Sequence, residues 1–355
     1  MRAGSILSEA YRNVVSGTTR GLILAFTLAV VGAGLAITDA RSIIAMQGRA
    51  ADFVTSKASV RVLVARGTTD AAACERLPTV SGVRSAGALR PAGPVLLRTM
   101  TGNPIQAYAV TPGLIGVLGA RSGGPSGAWL PASLAATLGV RVGQQLPTTD
   151  GTLTVAGLYD YPDDGRDSRL TYAVLLPEPA TGTFDECWAD VWPLSADRDD
   201  LLRSALTVDA TGTEPVTVGQ LNTSRGTRFD GVGDFTGRPT RYALPGCLVA
   251  GLVLGFVAIR MRRLEIAGAL HLGESRAALL ATLLIETSVW ALAATVLAAC
   301  ALVFGVLLAN PTSAVDVYLI DVRGPLVAAL ATVTGAVAAT FTIKERHLFG
   351  YFKNR

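Results

Sequence analysis

The chain has 355 residues, of which 50% are hydrophobic and 16% are charged, and its formal net charge is +4. A charged fraction below the roughly one quarter found in soluble domains indicates a membrane protein. The modest positive charge is explained by membrane orientation rather than by nucleic-acid binding, which we exclude as a function. Only three of the 31 basic residues are lysines, a composition typical of bacteria with GC-rich genomes.

Four apolar runs, uncharged apart from Glu286 in the third, are long enough to cross a bilayer core of roughly 30 Å. These runs, residues 21–38, 242–259, 277–309 and 324–343, predict transmembrane helices at residues 21–40, 242–260, 277–309 and 324–343. The first run begins well inside the chain and lacks a clear cleavage site. We therefore interpret it as a span rather than a signal peptide.

The distribution of arginine and lysine near the spans predicts the orientation of the chain. These residues concentrate in residues 1–20, 261–276 and 344–355, whereas residues 310–323 carry one arginine and two aspartates. We therefore expect a multi-pass protein of the bacterial plasma membrane, with both termini and residues 261–276 in the cytoplasm. Residues 41–241 and the short loop 310–323 are then outside.

The N-terminal tail, residues 1–20, is predicted to form an amphipathic helix. Its apolar residues recur with the helical period, at Ile6, Leu7, Ala10, Tyr11, Val14 and Val15. Such a helix lies in the membrane interface. The alternative is a cytoplasmic extension of the first span.

The external segment alternates strand and helix patterns, which predict an α+β domain. Strand–helix–strand patterns near both of its ends indicate one lobe, lobe A, made of residues 58–104 and 178–225. Ser195 is the expected N-cap of the helix in the second of these segments. Residues 105–177 form lobe B, grafted between them. The predicted fold class is four transmembrane α-helices with a two-lobed α+β extracytoplasmic domain inserted between helices 1 and 2.

The four cysteines fit this arrangement. Cys74 and Cys187 lie in the external domain, where a disulfide persists once formed, so the pair is either bonded or left as two thiols. Cys247 and Cys300 lie in predicted spans and are interpreted as small apolar packing residues.

Two passages carry a family resemblance. The first is "GAWLPASLAATLGVRVGQQLPTTDGTLTVAGLYDYPDDGR", residues 127–166, in which a helix, "LGV", a hairpin turn and a strand ending in "GLYD" follow one another. The second is "RRLEIAGALHLGESR", residues 262–276, followed at a distance by Glu286. Both passages, and the four spans with their insertion after the first, resemble the MacB/FtsX-like family of ABC transporter permeases over nearly the whole chain. The chain departs from the family pattern at "HLGE", residues 271–274, where the family more often has alanine around the leucine-glycine pair.

The resemblance implies that residues 262–276 contact a separate ATPase subunit and transmit its opening and closing. The residues that it assigns to coupling are Leu264, Glu265, Ile266, His271, Leu272, Gly273, Glu274 and Arg276. It also implies a second permease subunit, identical or different, together with membrane lipid and an extracytoplasmic accessory protein as further partners. Without the resemblance, the same stretch is a loop whose charges only set the topology.

Two features inside the predicted spans need partners. Glu286 is an acid in a span, where burial costs roughly 2.5–3.5 kcal/mol at mid-membrane, so it must pair or face water. Its expected partners are Arg260, Arg262 and Arg263, and we interpret its role as structural. Gly251 and Gly255 form a G-x-x-x-G motif, which predicts close helix packing within the chain or across a dimer.

The sequence contains no G-x-x-x-x-G-K-[ST] motif and only two histidines, His271 and His347. We therefore expect no enzyme activity, metal site or cofactor in this chain, with ATP and Mg²⁺ bound by the partner subunit. The expected function is that of an ABC permease subunit that moves its extracytoplasmic domain (mechanotransmission) to export or extract a hydrophobic, lipid, lipoprotein or peptide cargo. The alternative is a signalling or scaffold membrane protein that activates a cell-wall hydrolase or senses a peptide without transport.

Overall fold

The structure is a computed structural model that describes residues 3–17, 19–120, 127–194, 198–207, 215–309 and 311–344. The chain divides into two compact units. We call Met1–Arg49 with Gly231–Arg355 the membrane unit, and Ala50–Asp230 the external unit. Ser195, the predicted N-cap, and most of the tail 344–355 lie outside the described residues.

The chain opens with two helices, α1 (Ala3–Val15) and α2 (Gly21–Thr55). The 35 residues of α2 extend over about 52 Å at the usual rise, so the helix is longer than a bilayer core is thick. It ends in a Schellman motif, in which Lys57 N–H donates to Val54 O and Ala58 N–H to Phe53 O, both at 3.1 Å. Lys57 occupies the left-handed position of this motif, with φ of 62°.

In its described residues, the external unit consists of short helices and nine strands. In chain order they are β1 (Val60–Asp70), α3 (Ala71–Arg76), β2 (Val83–Val95), β3 (Ile105–Val110), α4 (Pro112–Leu118), β4 (Ala128–Pro131), α5 (Ala132–Leu138), β5 (Gln145–Thr148), β6 (Gly151–Tyr159), β7 (Val174–Pro177), β8 (Thr183–Val191), α6 (Arg198–Arg203) and β9 (Thr217–Gln220). Local chemistry fixes several of these boundaries. Asp70 caps α3 by accepting from the N–H groups of Ala72 and Ala73, and Gly119 ends α4 in a left-handed conformation.

The strands form one nine-stranded sheet in the order β5-β6-β4-β7-β3-β2-β8-β1-β9. The first five strands of this order come from lobe B and the last four from lobe A. The antiparallel pairing of β2 with β3, in which Leu89 is opposite Val110, joins the two sets. The predicted lobes are therefore two halves of a single sheet.

Both faces of the sheet are covered by buried side chains. Because successive strand residues point to opposite faces, Val62 joins a core with Trp188 and Tyr159, whereas Leu63 joins a core with Phe184 and Cys187. Cys187 on β8 is disulfide-bonded to Cys74 on α3, with the two Cα atoms 5.8 Å apart. This cross-link fastens α3 onto its face of the sheet.

The membrane unit continues after the external unit with six further helices. They are α7 (Gly231–Gly237), α8 (Ala243–Met261), α9 (Arg263–His271), α10 (Arg276–Ala309), α11 (Ala314–Asp321) and α12 (Arg323–Thr342). In the described part of the chain, four stretches are long and apolar enough to cross a membrane: Gly21–Thr55, Pro239–Met261, Arg276–Ala309 and Ala314–Thr342. The predicted fold class, four such helices with a mixed α/β domain between the first two, is confirmed.

Helices α8 and α12 pack against each other through small residues. A Cβ atom at Gly251 would overlap the carbonyl oxygen of Ala328, and one at Gly255 would overlap that of Thr332. Gly335 on α12 approaches the backbone of Leu252 in the same way. The glycines of the G-x-x-x-G motif are thus used for packing within the chain.

Candidate functional site

The segment that the resemblance assigns to coupling forms a short helix, α9, between α8 and α10. Arg262 separates α8 from α9, because its backbone angles of φ −99° and ψ 16° interrupt the helical path. Its side chain is only 13% exposed. The helix break therefore places a guanidinium where three helices meet.

Arg262 binds two carboxylates. Its Nε and Nη2 atoms donate to Glu265 of α9 at 2.9 and 2.7 Å, and its Nη1 atom donates to Glu286 of α10. Charge-assisted, bidentate contacts of this kind are the stronger hydrogen bonds of proteins. Arg262 therefore links the first turn of α9, through Glu265, to α10, through Glu286.

Glu286 has both carboxylate oxygens satisfied. One accepts from Arg262, and the other accepts from Nδ2 of Asn13 on α1 at 2.7 Å. The residue is 2% exposed, and a carboxylate buried to this extent requires such partners. The contact with Asn13 brings the N-terminal helix into the same cluster, which we call the Arg262 cluster (Asn13, Arg262, Glu265 and Glu286).

The positively charged form of Arg262 is stabilised by its two carboxylate partners. Burial lowers the pKa of a guanidinium, but hydrogen bonds and charge from Glu265 and Glu286 outweigh burial and raise the pKa of Arg262 above its ordinary value. The group therefore stays charged at any pH compatible with folding.

The apolar side of α9 packs against the membrane helices. Ile266 and Ala267 are buried together with Leu279 and Leu283 of α10 and Ala339 of α12. This contact fixes one face of α9 in place, so α9 moves only if α10 and α12 adjust with it.

The residues at the end of α9 are exposed to solvent rather than buried. His271, Gly273 and Arg276 are exposed, and Leu272 is 88% exposed. A second Schellman motif turns the chain here: Gly273 N–H donates to Leu270 O and Glu274 N–H to Ala269 O, both at 3.1 Å. Gly273 adopts φ of 91°, a conformation that favours glycine. We call residues 271–273 the α9 tip.

Glu274 lies beside Glu9 of α1. Partial burial, and next the negative charge of Glu9, raise the pKa of the Glu274 carboxyl above its ordinary value. Helix α1 thus makes one favourable contact, between Asn13 and Glu286 of α10, and one like-charge contact, between Glu9 and Glu274.

The structure separates the predicted coupling residues into two groups. Glu265 and Ile266 hold α9 in place, whereas His271, Leu272, Gly273 and Arg276 are on the surface. Leu264 and Glu274 are half-buried. Of the three arginines considered for Glu286, Arg262 is the partner, while Arg260 lies near Thr342 at 3.5 Å.

Asn13 was not predicted from the sequence. The apolar stripe of α1 predicts that Asn13 lies on the opposite, solvated face of the helix. The available signal was its spacing from Glu9, because residues four apart lie on one face and can contact the same neighbour. The partner of Asn13, Glu286 on α10, is distant in sequence.

Among the described residues, no three His, Cys, Asp or Glu side chains come together as a metal site. A groove of about 510 Å³ adjoins the Arg262 cluster and is lined in part by Arg20, Arg263 and Leu264. The arrangement offers a rigid base, an exposed tip and a basic groove.

No family model matches the chain, and a search of curated proteins finds no match. Several solved structures are similar to part of it, including the following three. The periplasmic region of MacB from Actinobacillus actinomycetemcomitans is 9% identical with a TM-score of 0.36, and the match covers 47% of this chain and 91% of that one. A domain of a protein described as a permease, from Porphyromonas gingivalis, is 14% identical with a TM-score of 0.32, covering 46% and 90%. The extracellular domain of the noncanonical ABC-type transporter YknZ from Gram-positive bacteria is 13% identical with a TM-score of 0.32, covering 45% and 100%.

The chain thus has four helices that are long and apolar enough to cross a membrane, with a mixed α/β domain between the first two.

Proposed function

We propose that this chain is the membrane subunit of an ABC-type system and couples ATP hydrolysis by a separate ATPase to movement of its extracytoplasmic domain. The observation that carries the proposal is the combination of a fixed α9 with an exposed tip. Arg262 and Ile266 tie α9 to α10, while Leu272 at its end is 88% exposed.

A lever between two proteins needs a stiff base and an accessible end. The Arg262 cluster supplies the base, since displacement of α9 breaks a buried ion pair with Glu286 or carries α10 with it. Leu272 supplies the end, because a large apolar side chain that is almost fully exposed suits insertion into a partner's pocket. A push on the α9 tip is therefore passed to the membrane helices.

The membrane helices offer a path for that movement. Helix α2 is continuous from Gly21 to Thr55 and leads into β1 after a short turn. In the described part of the four spans, the buried carboxylates Asp39 and Glu286 are paired with Arg238 and Arg262. The buried threonines Thr282, Thr295 and Thr332 donate their hydroxyls to the backbone of their own helix. Such helices give a hydrated solute little to bind, which favours mechanotransmission over passage through a channel.

The cargo that fits this mode is hydrophobic or already outside the cell: a lipid, a lipoprotein or a peptide. We expect a second permease subunit and an accessory protein on the extracytoplasmic side. The alternative function, activation of a cell-wall hydrolase or peptide sensing without transport, uses the same lever and differs only in what the external unit contacts.

The test is purification of the tagged chain from its native membranes in mild detergent, followed by identification of the proteins that accompany it. We expect an ABC ATPase in stoichiometric amount. The Leu272→Asp variant should lose the ATPase, because it places a charge where an apolar contact is proposed. The matched control is Val142→Asp, which introduces the same charge at an exposed residue of the external unit.

Four outcomes are informative. Loss of the ATPase in Leu272→Asp alone supports the proposal. Absence of any ATPase from the wild-type sample overturns the permease assignment. Retention of the ATPase by Leu272→Asp overturns the role of the α9 tip, and a co-purifying hydrolase or receptor kinase favours the signalling alternative.

A further inference from the structure

A second polar cluster lies at the extracytoplasmic end of the membrane unit. Arg238, which precedes α8, donates from Nε and Nη2 to the two oxygens of Asp39 on α2, at 2.8 and 3.2 Å. Its guanidinium also covers the ring of Phe235, 3.9 Å from the ring centre. Asp321 at the end of α11 lies against the same cavity as Asp39. The two aspartates are 7% and 5% exposed.

One carboxylate oxygen of this cluster lacks a hydrogen-bond donor within the part of the chain that the structure describes. It contains two buried carboxyl groups, and Arg238 is committed to Asp39. The Oδ2 atom of Asp321 is buried and has no hydrogen-bond partner among the described residues. A buried carboxylate oxygen without a partner is costly, so the site calls for a cationic donor at Asp321.

The two carboxyl groups lie beside a cavity. A cavity of about 270 Å³ is lined by Asp39 and Asp321 and also by two exposed arginines, Arg241 and Arg323. Arg241 already donates to Thr236 O and to the Tyr242 hydroxyl, at 2.8 and 2.6 Å. The cavity thus combines buried negative charge with exposed positive charge.

An apolar track begins at the same cavity. Leu244 lines it and is 45% exposed, and Leu248 and Leu252 follow at four-residue steps along α8, 43% and 36% exposed. Residues four apart on a helix lie on one face, so the three side chains form a stripe that runs from the cavity toward the middle of the membrane. Such a stripe is suited to an acyl chain.

We propose that this cavity binds the headgroup of a zwitterionic phospholipid that has a primary ammonium, as in phosphatidylethanolamine. The ammonium donates to Asp321 Oδ2, the phosphate lies by Arg241 and Arg323, and an acyl chain follows the Leu244 stripe. A primary ammonium supplies N–H donors, whereas a quaternary ammonium supplies none. The lipid site does not require the chain to couple to an ATPase.

The test uses the full-length chain purified in detergent and supplied with one of three lipids of identical acyl chains. The lipids are phosphatidylethanolamine, phosphatidylcholine and phosphatidylglycerol, and retained lipid is counted by native mass spectrometry and by the shift in thermal stability. We expect phosphatidylethanolamine to be retained at least about ten-fold more tightly than phosphatidylcholine, since a charge-assisted hydrogen bond is lost with the methylated headgroup. Glycerophosphoethanolamine, which has the headgroup without the chains, should not displace the lipid at equal concentration.

Three variants sharpen the result. Asp321→Asn should remove the preference for phosphatidylethanolamine, whereas Asp316→Asn, an exposed aspartate of the same helix, should leave it unchanged. Arg323→Gln changes an exposed side chain and should weaken retention of both phosphatidylethanolamine and phosphatidylglycerol, even if Asp321→Asn fails to fold.

Equal retention of the ethanolamine and choline lipids, or retention of neither, overturns the proposal. Displacement by glycerophosphoethanolamine overturns the part assigned to the acyl chain. If Asp321→Asn stabilises the lipid-free protein at neutral pH and no lipid has any effect, the site holds a proton shared with Asp39 and the lipid assignment is wrong.

Discussion

Arg262 and Glu286 are ion-paired where α8, α9 and α10 meet, 24 residues apart in sequence, with side-chain exposures of 13% and 3%. The pair is buried on both sides, which distinguishes it from the exposed pairs of the chain such as Arg203 with Asp200. Exposed pairs contribute little to stability, whereas breaking a buried pair leaves a charge without compensation. The position of α9 therefore depends on this contact.

We predict that Arg262→Met destabilises the membrane unit by about 3 kcal/mol, because Glu286 is then left buried with only Asn13 as a donor. Thermal unfolding in detergent measures the loss. The double variant Arg262→Met with Glu286→Leu should recover much of the stability, since it removes both charges. Arg276→Met, at an exposed site of the same region, is the control and should be neutral. A single variant as stable as the wild type would show that the pair does not hold α9.

The pair of Glu274 with Glu9 predicts a pH dependence. The pKa of Glu274 is raised above its ordinary 4.5, so the folded protein holds this proton more tightly than the unfolded chain does. The favourable contribution is complete below pH 4.5 and is lost as the pH rises through the raised pKa. Glu274→Gln should therefore stabilise the protein at neutral pH, and the gain should vanish below the ordinary pKa.

Unfolding midpoints across this pH range test the prediction. Glu9→Gln should produce a smaller gain, because it removes the repulsion but leaves the burial of Glu274, the larger cause of the raised pKa. A gain in Glu274→Gln that persists at low pH would contradict the electrostatic explanation.

The disulfide between Cys74 and Cys187 closes a separation of 113 residues. A cross-link over so long a segment restricts the unfolded chain strongly, and we expect its loss in Cys74→Ser with Cys187→Ser to cost about 2–4 kcal/mol. The measurement is thermal unfolding of the full chain with and without reductant. Reductant should lower the unfolding temperature of the wild type and leave the double variant unchanged. An equal response of both proteins would show that the bond is absent or unimportant.

The sequence was sufficient to predict features that depend on a continuous stretch of the chain or on its order across the membrane. The spans can be predicted because each must be apolar over the thickness of a bilayer. The predicted topology left Cys74 and Cys187 as the two cysteines able to form a disulfide outside the membrane. The order of the strands in the sheet could not be predicted from the sequence, because the parallel pairing of β3 with β7 joins strands that are far apart in the chain. Asn13 and Asp321 were missed for a related reason: a polar residue on a helix looks solvated until the neighbouring helix is known. The short helix α11 likewise occupies residues that were expected to be a loop.

The glycines of α8 allow another test. Gly255→Ala adds a methyl group where the carbonyl oxygen of Thr332 already lies, so α8 and α12 must separate. We expect a cost of about 1–3 kcal/mol, typical of overpacking. Gly34→Ala on α2 is the control, because nothing lies within 4 Å of the added atom. Thermal stability in detergent compares the two, and equal effects would show that the α8–α12 contact tolerates expansion.

The last prediction concerns Lys57, which ends α2 in a left-handed conformation at φ of 62°. A residue with a Cβ atom is strained there by about 1–2 kcal/mol, and glycine removes the strain at some cost in unfolded-chain entropy. Burial, with charge from Arg84 and Arg166, also lowers the pKa of the Lys57 ammonium despite the attraction of Asp190. Lys57→Gly should therefore stabilise the protein by about 0.5–1 kcal/mol. Lys57→Ala separates the two causes, since it removes the charge and keeps the Cβ atom. If Lys57→Ala stabilises as much as Lys57→Gly in thermal unfolding, the gain comes from the ammonium and the backbone explanation is wrong.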